Sequence, residues 1–352
     1  MLELLKEVGR GKRGAKDLTY EQALQAAEMI RTGKATPAQI GAFLMAERIK
    51  TESMEEILAF IDHYRQAIPL FSMPNSLDCA GPYDGRRTSF YATFPIAFVL
   101  TACGLPVTLH SSPTLPPKWG IALYDLIQEL GLPLQQDSRE VYTKAAEASG
   151  FLFAATELWH PDLQALRPLR LEIGVRTVFN TVEKLLRLSD ATYMAIGVYH
   201  GTVFEKVAQL LLKQGITKGI VVQGLEGSED VSVQKPTRTL LIQGDSYEPL
   251  LIDPEALGLK AELPEIEWTP RLQLDTAIAV LKEEAALPYR NMVLLNSALR
   301  LWVTGTCATV EEGLQKAQHA LENGLAWRQF QLWLEQVHFH HAAMQVEPSS
   351  NF

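Results

Sequence analysis

Residues 78–131 read DCAGPYDGRRTSFYATFPIAFVLTACGLPVTLHSSPTLPPKWGIALYDLIQELG, and the fold turns on this stretch. A short strand runs into a tight loop, an apolar helix, a second strand through Val107 and Leu109, a polar loop and another helix. That order lays out an anion-binding crevice at the edge of a parallel sheet. The first loop is Gly81-Pro82-Tyr83-Asp84-Gly85-Arg86-Arg87. A glycine loop holds phosphate with bare backbone N–H groups, but Pro82 has none and Tyr83 adds a ring. Arg86 and Arg87 stand where guanidinium groups could take over that seat, each charged bond contributing about 1.5–3 kcal/mol.

Outward from this stretch the pattern divides. Before it, apolar residues at helical spacing predict helices through Ala23–Ile30, Ile40–Ala46 and Ile57–Ile61, the second opened by Thr36-Pro37. Pro69, Pro74 and Asn75-Ser76 mark a boundary. After it, buried strands are expected at 106–110, 191–199 and 219–223, and a later one at 239–243. Helices at 204–214, 275–284 and 297–302 alternate with them, which predicts a parallel or mostly parallel α/β sheet. A basic, leucine-rich segment at 163–190 interrupts the alternation. Thr309 and Glu312 form a capping-box signature before the last helices, and the tail from Gln345 reads as frayed.

Composition limits the function. The 352 residues carry a formal net charge of −9, which argues against a globally basic nucleic-acid binder. A local basic region remains at the N-terminus, where Lys6, Arg10, Lys12, Arg13 and Lys16 outnumber Glu3 and Glu7. Cys79, Cys103 and Cys307 have neither metal-site nor disulfide spacing. No run approaches the length of a membrane span and no signal peptide is visible, so a cytoplasmic protein is expected. His338, His340 and His341 lie together on a terminal helix but lack nearby thiols, and they read as non-functional. Gly224-Leu225-Glu226-Gly227 lacks the spacing of a dinucleotide fingerprint, and no P-loop or nucleophile elbow is present.

Several words in order carry a family likeness. Residues 35–46 read ATPAQIGAFLMA and are followed by Arg48-Ile49-Lys50; residues 290–296 read RNMVLLN; Glu311-Glu312-Gly313 lies near the end. Between them, Val221-Val222-Gln223-Gly224 leads to Pro236-Thr237-Arg238 through an acidic loop. Over essentially its whole length the chain resembles the anthranilate phosphoribosyltransferase family. The resemblance implies an α/β fold with a small all-helical N-terminal domain, of the phosphoribosyltransferase and nucleoside-phosphorylase-like type (glycosyltransferase family 3). It implies a helical domain at 1–74 completed by about 163–190, an α/β domain at 75–162 and 191–352, and a homodimer.

The same resemblance assigns a site. Gly81, Asp84, Gly85, Arg86, Arg87, Thr88, His110, Lys118, Arg176 and Lys184 would bind phosphate or ligand, and Glu229 with Asp230 would hold Mg²⁺. The loops depart from the family, however. Its Gly-Thr-Gly-Gly-Asp stands here as Gly81-Pro82-Tyr83-Asp84-Gly85, and its serine-rich second loop as Pro116-Pro117-Lys118-Trp119-Gly120. The Gly-Asn-Arg after the histidine has become Ser111-Ser112-Pro113, and the acidic pair is reversed. With Gly9-Arg10-Gly11-Lys12 and Tyr199-His200, these words are similar to a divergent bacterial subfamily whose studied member binds nucleic acid and lacks the anthranilate reaction. The resemblance thus implies a protein that binds a phosphorylated ribose ligand in an interdomain groove, with weak or absent anthranilate chemistry. Single-stranded nucleic acid binding in the groove, or an active anthranilate phosphoribosyltransferase of tryptophan biosynthesis, are the alternatives.

Overall fold

Side-chain caps set where the N-terminal helices begin. Thr19, Thr36 and Ser53 each accept a bond from the N–H three residues on, and the side chains of Gln22, Gln39 and Glu56 each accept one from the cap's own N–H. Two orphan donors are satisfied at each start. The helices Tyr20–Arg31, Pro37–Lys50 and Met54–Arg65 follow, with a short helix Leu2–Val8 before them. The computed structural model describes residues 1–11 and 13–346. Lys12 and the last six residues of the expected frayed tail lie outside the described residues.

Seven strands make one sheet. They are β1 (Leu77–Ala80), β2 (Val107–Ser111), β3 (Phe151–Ala155), β4 (Tyr193–Gly197), β5 (Lys218–Val222), β6 (Thr237–Gln243) and β7 (Ser246–Ile252), in spatial order β3-β2-β1-β4-β5-β6-β7. The first five are parallel, with Cys79 opposite Leu109 on one side and Ala195 on the other. The last two are antiparallel and form an edge hairpin that the expected pattern lacks. β3 and β7 are both absent from the sequence expectations. β7 is largely exposed and carries Pro249, as an edge strand tolerates.

The helix Thr93–Ala102 between β1 and β2 is apolar all round and buried over its first eight residues. A helix without a polar face belongs inside a layered core. Phe98 meets Phe151, Phe330 and Trp333 at centroid distances of 4.8, 5.1 and 5.7 Å, which ties the sheet to the long last helix Leu325–Val346. On the helix Met54–Arg65, Phe60 and Tyr64 pack edge-on against Phe179 at 5.7 and 5.2 Å. No helix among the described residues is long and apolar enough to cross a membrane.

Candidate functional site

The strand order places the site. Chain direction across the sheet reverses between β1 and β4, and the crevice beyond the carboxyl ends of two such strands is where ligands bind in open α/β sheets. A cleft of about 240 Å³ opens there. Pro82, Tyr83 and Asp84 line it from the β1 loop, Ile196 to His200 from β4, and Thr51, Glu52 and Ile57 from the helical region. Its walls are mainly apolar. Tyr199, 56 % exposed, stands at its mouth.

Asp84 is the hub of the cleft's charge. The loops after β1 and β2 are stitched together, since Arg86 and Ile121 exchange backbone bonds of 2.8 Å and Gly120 N–H donates to Asp84 O at 3.0 Å. Gly85 has φ +77, and a Cβ there would come within 2.4 Å of the Gly120 carbonyl, so only glycine fits this crossing. The stitch brings Lys118 Nζ to 3.3 Å from Asp84 Oδ1, while Arg176 reaches Asp84 Oδ2 through Nε and Nη2 at 3.0 and 2.5 Å. Asp84, Lys118 and Arg176, expected as ligand contacts, therefore meet. Their charges partly neutralise one another. Burial lowers the Lys118 ammonium from its usual range, against the pull of Asp84 and Glu226.

The two adjacent arginines part company. Arg87 is exposed, as a surface loop residue is. Arg86 is wholly buried, contrary to the expectation that it faces an anion. Its Nη1 donates to Asp230 Oδ2 at 2.6 Å and to Phe90 O at 2.8 Å, and its Nη2 to Glu229 Oε2 at 3.3 Å. The guanidinium also lies 4.0 Å from the Tyr91 ring centroid. Arg300, from the helix Leu287–Thr304, donates to Asp230 Oδ1 at 2.9 Å. Burial alone would raise the Glu229 carboxyl, but Arg86 and Arg300 outweigh it and hold it below the usual range. Two carboxylates and two guanidinium groups thus close a charge-balanced cluster.

That cluster does not fit Mg²⁺. The ion takes one or two carboxylates plus phosphate and water oxygens, and here guanidinium groups already sit on both carboxylates. No group of three or more His, Cys, Asp or Glu side chains among the described residues could hold a metal. The reason lies in the side chain at position 86, whose length carries its charge back beneath the loop.

Tyr83 closes the space next to it. Its hydroxyl lies 2.6 Å from both His110 Nδ1 and Thr156 Oγ1, and burial, reinforced by Glu183, pushes its pKa up. His110 Nε2 is 2.9 Å from Asp78 Oδ1. His110 is thereby turned into a buried chain rather than toward a ligand. The void left between Gly81, Thr93, His110 and Glu229 is about 10 Å³, room for at most one water. Gly81 abuts Glu229 closely, since a Cβ on it would meet Oε2 at 2.7 Å.

The remaining expected residues are scattered around this closed centre. Lys184 lines the cleft and donates to Gly197 O at 3.0 Å. Arg87 and Thr88 offer backbone N–H groups to Glu226, while their side chains face solvent. Arg300 and Lys206 are absent from the sequence expectations. A charged residue in the apolar run through Leu299 and Leu301 was the signal for Arg300, but its partner is seventy positions away. Lys206 bridges the cleft by donating to Glu52 O at 2.6 Å.

The chain matches two family models. One is described as the glycosyl transferase family, a/b domain, over residues 80–327, and the other as the glycosyl transferase family, helical bundle domain, over residues 2–68. It is 30 % identical over 311 residues to an anthranilate phosphoribosyltransferase of Methylocella silvestris, covering 88 % of each chain. It is 29 % identical to that of Caldicellulosiruptor saccharolyticus, covering 91 % of this chain and 95 % of the other. Among solved structures it is similar to anthranilate phosphoribosyltransferase from Thermus thermophilus, with a TM-score of 0.79, 23 % identity and coverage of 95 % and 99 %. The Saccharomyces cerevisiae enzyme in complex with PRPP and Mg gives a TM-score of 0.77 at 19 % identity, covering 96 % and 97 %. At those identities the solved structures speak for the fold.

Proposed function

The chain belongs to the glycosyl transferase family with a helical-bundle and an a/b domain, and on that premise we propose that it binds a phosphorylated ribose ligand in the β1–β4 cleft without transferring it to anthranilate. The observation that carries this reading is Arg86 on Glu229 and Asp230. Ribosyl transfer needs donors and a cation aimed at the departing pyrophosphate. Here the acidic pair is occupied by buried guanidinium groups, Pro82 has removed an amide, and about 10 Å³ is left beneath the loop. The reading assigns no Mg²⁺ to that pair.

The cleft retains what binding alone requires. Ile196, Val198 and Val207 offer an apolar wall and Tyr199 a ring face, while Arg176, Lys184 and Lys206 supply cations. Such a site takes a ligand with one flat apolar part and one anionic part. The relative solved with PRPP and Mg supports a ribosyl phosphate as that ligand. Calorimetry with PRPP tests it, in parallel with a fluorescence assay of anthranilate consumption. The expected result is measurable binding with no turnover. Turnover, or no heat at millimolar PRPP, would overturn the reading.

A second reading is favoured by one observation. Exposed Tyr199 lies near exposed Arg238 and the partly exposed Lys206, a combination that also suits a stacked single-stranded base. Its signature is affinity for single strands that falls with salt, log K dropping by about 0.7 per phosphate contact for each log unit. A gel shift that salt leaves unchanged, or none at all, rejects it.

A further inference from the structure

Lys184 stands in a turn that is pinned on both sides. The short helix Phe179–Val182 runs into a tighter turn at Glu183–Leu185. Glu183 is buried and accepts from Arg170 Nη1 and Nη2 at 2.7 and 2.9 Å, and Leu185 lies in the core. Held between them, Lys184 is half-buried and lines the β1–β4 cleft with Ile196, Val198 and Val207.

Its amine has few partners for a cation. An ammonium carries three donors, and among the described residues this one reaches a single acceptor, Gly197 O at 3.0 Å, and makes no ion pair. The carboxylates whose charge reaches it are engaged elsewhere, Asp84 with Lys118 and Arg176, and Glu229 with Arg86. The unprotonated amine needs less: one N–H serves the carbonyl, and the lone pair is left for an electrophile. Burial favours that form, and Lys118 and Arg176 add to it against Asp84 and Glu229, which lowers the group to about 8. A desolvated lysine beside other cations is one way a nucleophilic amine is made.

We propose that Lys184 is a covalent acceptor whose amine condenses reversibly with an aldehyde or ketone that carries an anionic group. The nitrogen adds to the carbonyl carbon. The carbonyl oxygen then leaves as water with the two amine hydrogens, and a C=N bond replaces C=O. The step consumes no oxidant or reductant, and water reverses it. Arg176 and Lys206, on the same cleft, meet the anionic group, while the apolar wall takes the carbon skeleton. The inference rests on the cleft reading for where the ligand lies and adds a bond to it.

Pyridoxal phosphate, a flat aromatic aldehyde with an anionic arm, is the probe. Borohydride added to the full chain and probe delivers hydride to the C=N carbon and fixes any imine as a stable amine, which peptide masses then locate. At about pH 8 Lys184 should be labelled at least about tenfold faster than the exposed Lys213 and Lys235, because ordinary lysines titrate near about 10.4. Its labelling should level off above about pH 8 while theirs climbs further. Lys184→Arg, which keeps the charge and cannot form the imine, should lose the fast adduct, and pyridoxal without its phosphate should react at least about tenfold more slowly. Labelling of Lys184 no faster than of the exposed pair overturns the inference, as does a fast adduct that survives in Lys184→Arg, or pyridoxal reacting as fast as its phosphate. PRPP has no free carbonyl, so its calorimetry reads the cleft alone. PRPP heat without fast Lys184 labelling removes this inference only; labelling without PRPP heat upholds it and removes ribosyl phosphate as the cleft's ligand.

Discussion

The β1 loop has two faces with opposite fates. Beneath it, Arg86 and Arg300 hold Glu229 and Asp230 in a sealed cluster, with Tyr83 filling the adjoining space. Beside it, Asp84, Lys118 and Arg176 form a similar cluster at the wall of an open cleft. Both contain basic and acidic groups in contact, and the difference is access. Breaking a buried pair leaves a charge that water cannot reach, whereas at the cleft wall Arg176, its side chain 32 % exposed, can meet solvent when it lets go of the buried Asp84. A count of arginines therefore says little about anion binding until it is known which of them can change partner.

The contrast can be broken or sharpened by substitution. Arg86→Met should produce the largest effect, a loss of about 3–5 kcal/mol in denaturant unfolding, because two buried carboxylates would share one guanidinium. A loss below about 1 kcal/mol would break the contrast at its buried end. Arg176→Ala should weaken PRPP binding by about 1.5–3 kcal/mol, roughly tenfold or more by calorimetry, while moving stability by less than about 1 kcal/mol. Unchanged affinity would remove Arg176 from the cleft's binding face. Tyr83→Phe should cost about 1–3 kcal/mol in unfolding, since His110 Nδ1 and Thr156 Oγ1 lose a buried partner.

The smallest effect sharpens the boundary between the two regions. Burial pulls the Lys184 ammonium down to about 8, against the opposing pull of Asp84 and Glu229. An unfolded lysine titrates near about 10.4. Between those values the unfolded chain holds a proton that the folded chain has released, so this residue's contribution to stability rises with pH. Below about pH 8 it is a full penalty. Urea midpoints at about pH 7.5 and about pH 10 should therefore show a rise attributable to Lys184 that Lys184→Met lacks; identical pH dependence of the two proteins would contradict the burial.

Local patterns made the architecture readable. The capping residues Thr36 and Thr309 and the strand, loop and helix order at 78–131 are written in neighbouring positions, and the helical and α/β parts follow from them. β7 escaped because Ser246, Glu248 and Pro249 give it no alternation, and β3 because five apolar residues suit a helix as well as a strand. The site was legible as a list of loops and not as a set of contacts. Arg86 and Arg87 are neighbours in sequence with opposite surroundings, and Asp230 is 144 positions from the side chain that neutralises it. Which way a loop side chain turns depends on what waits for it beneath, and no spacing rule carries that information.

The sealed cluster also has a consequence for redesign. Opening space beneath the loop calls for changes at positions 82, 83 and 86 together. Changing Arg86 alone would leave charge stranded in the interior, and small residues above it would achieve nothing while the guanidinium stayed in place. New uses are therefore more readily built around the rim of this scaffold than at its heart.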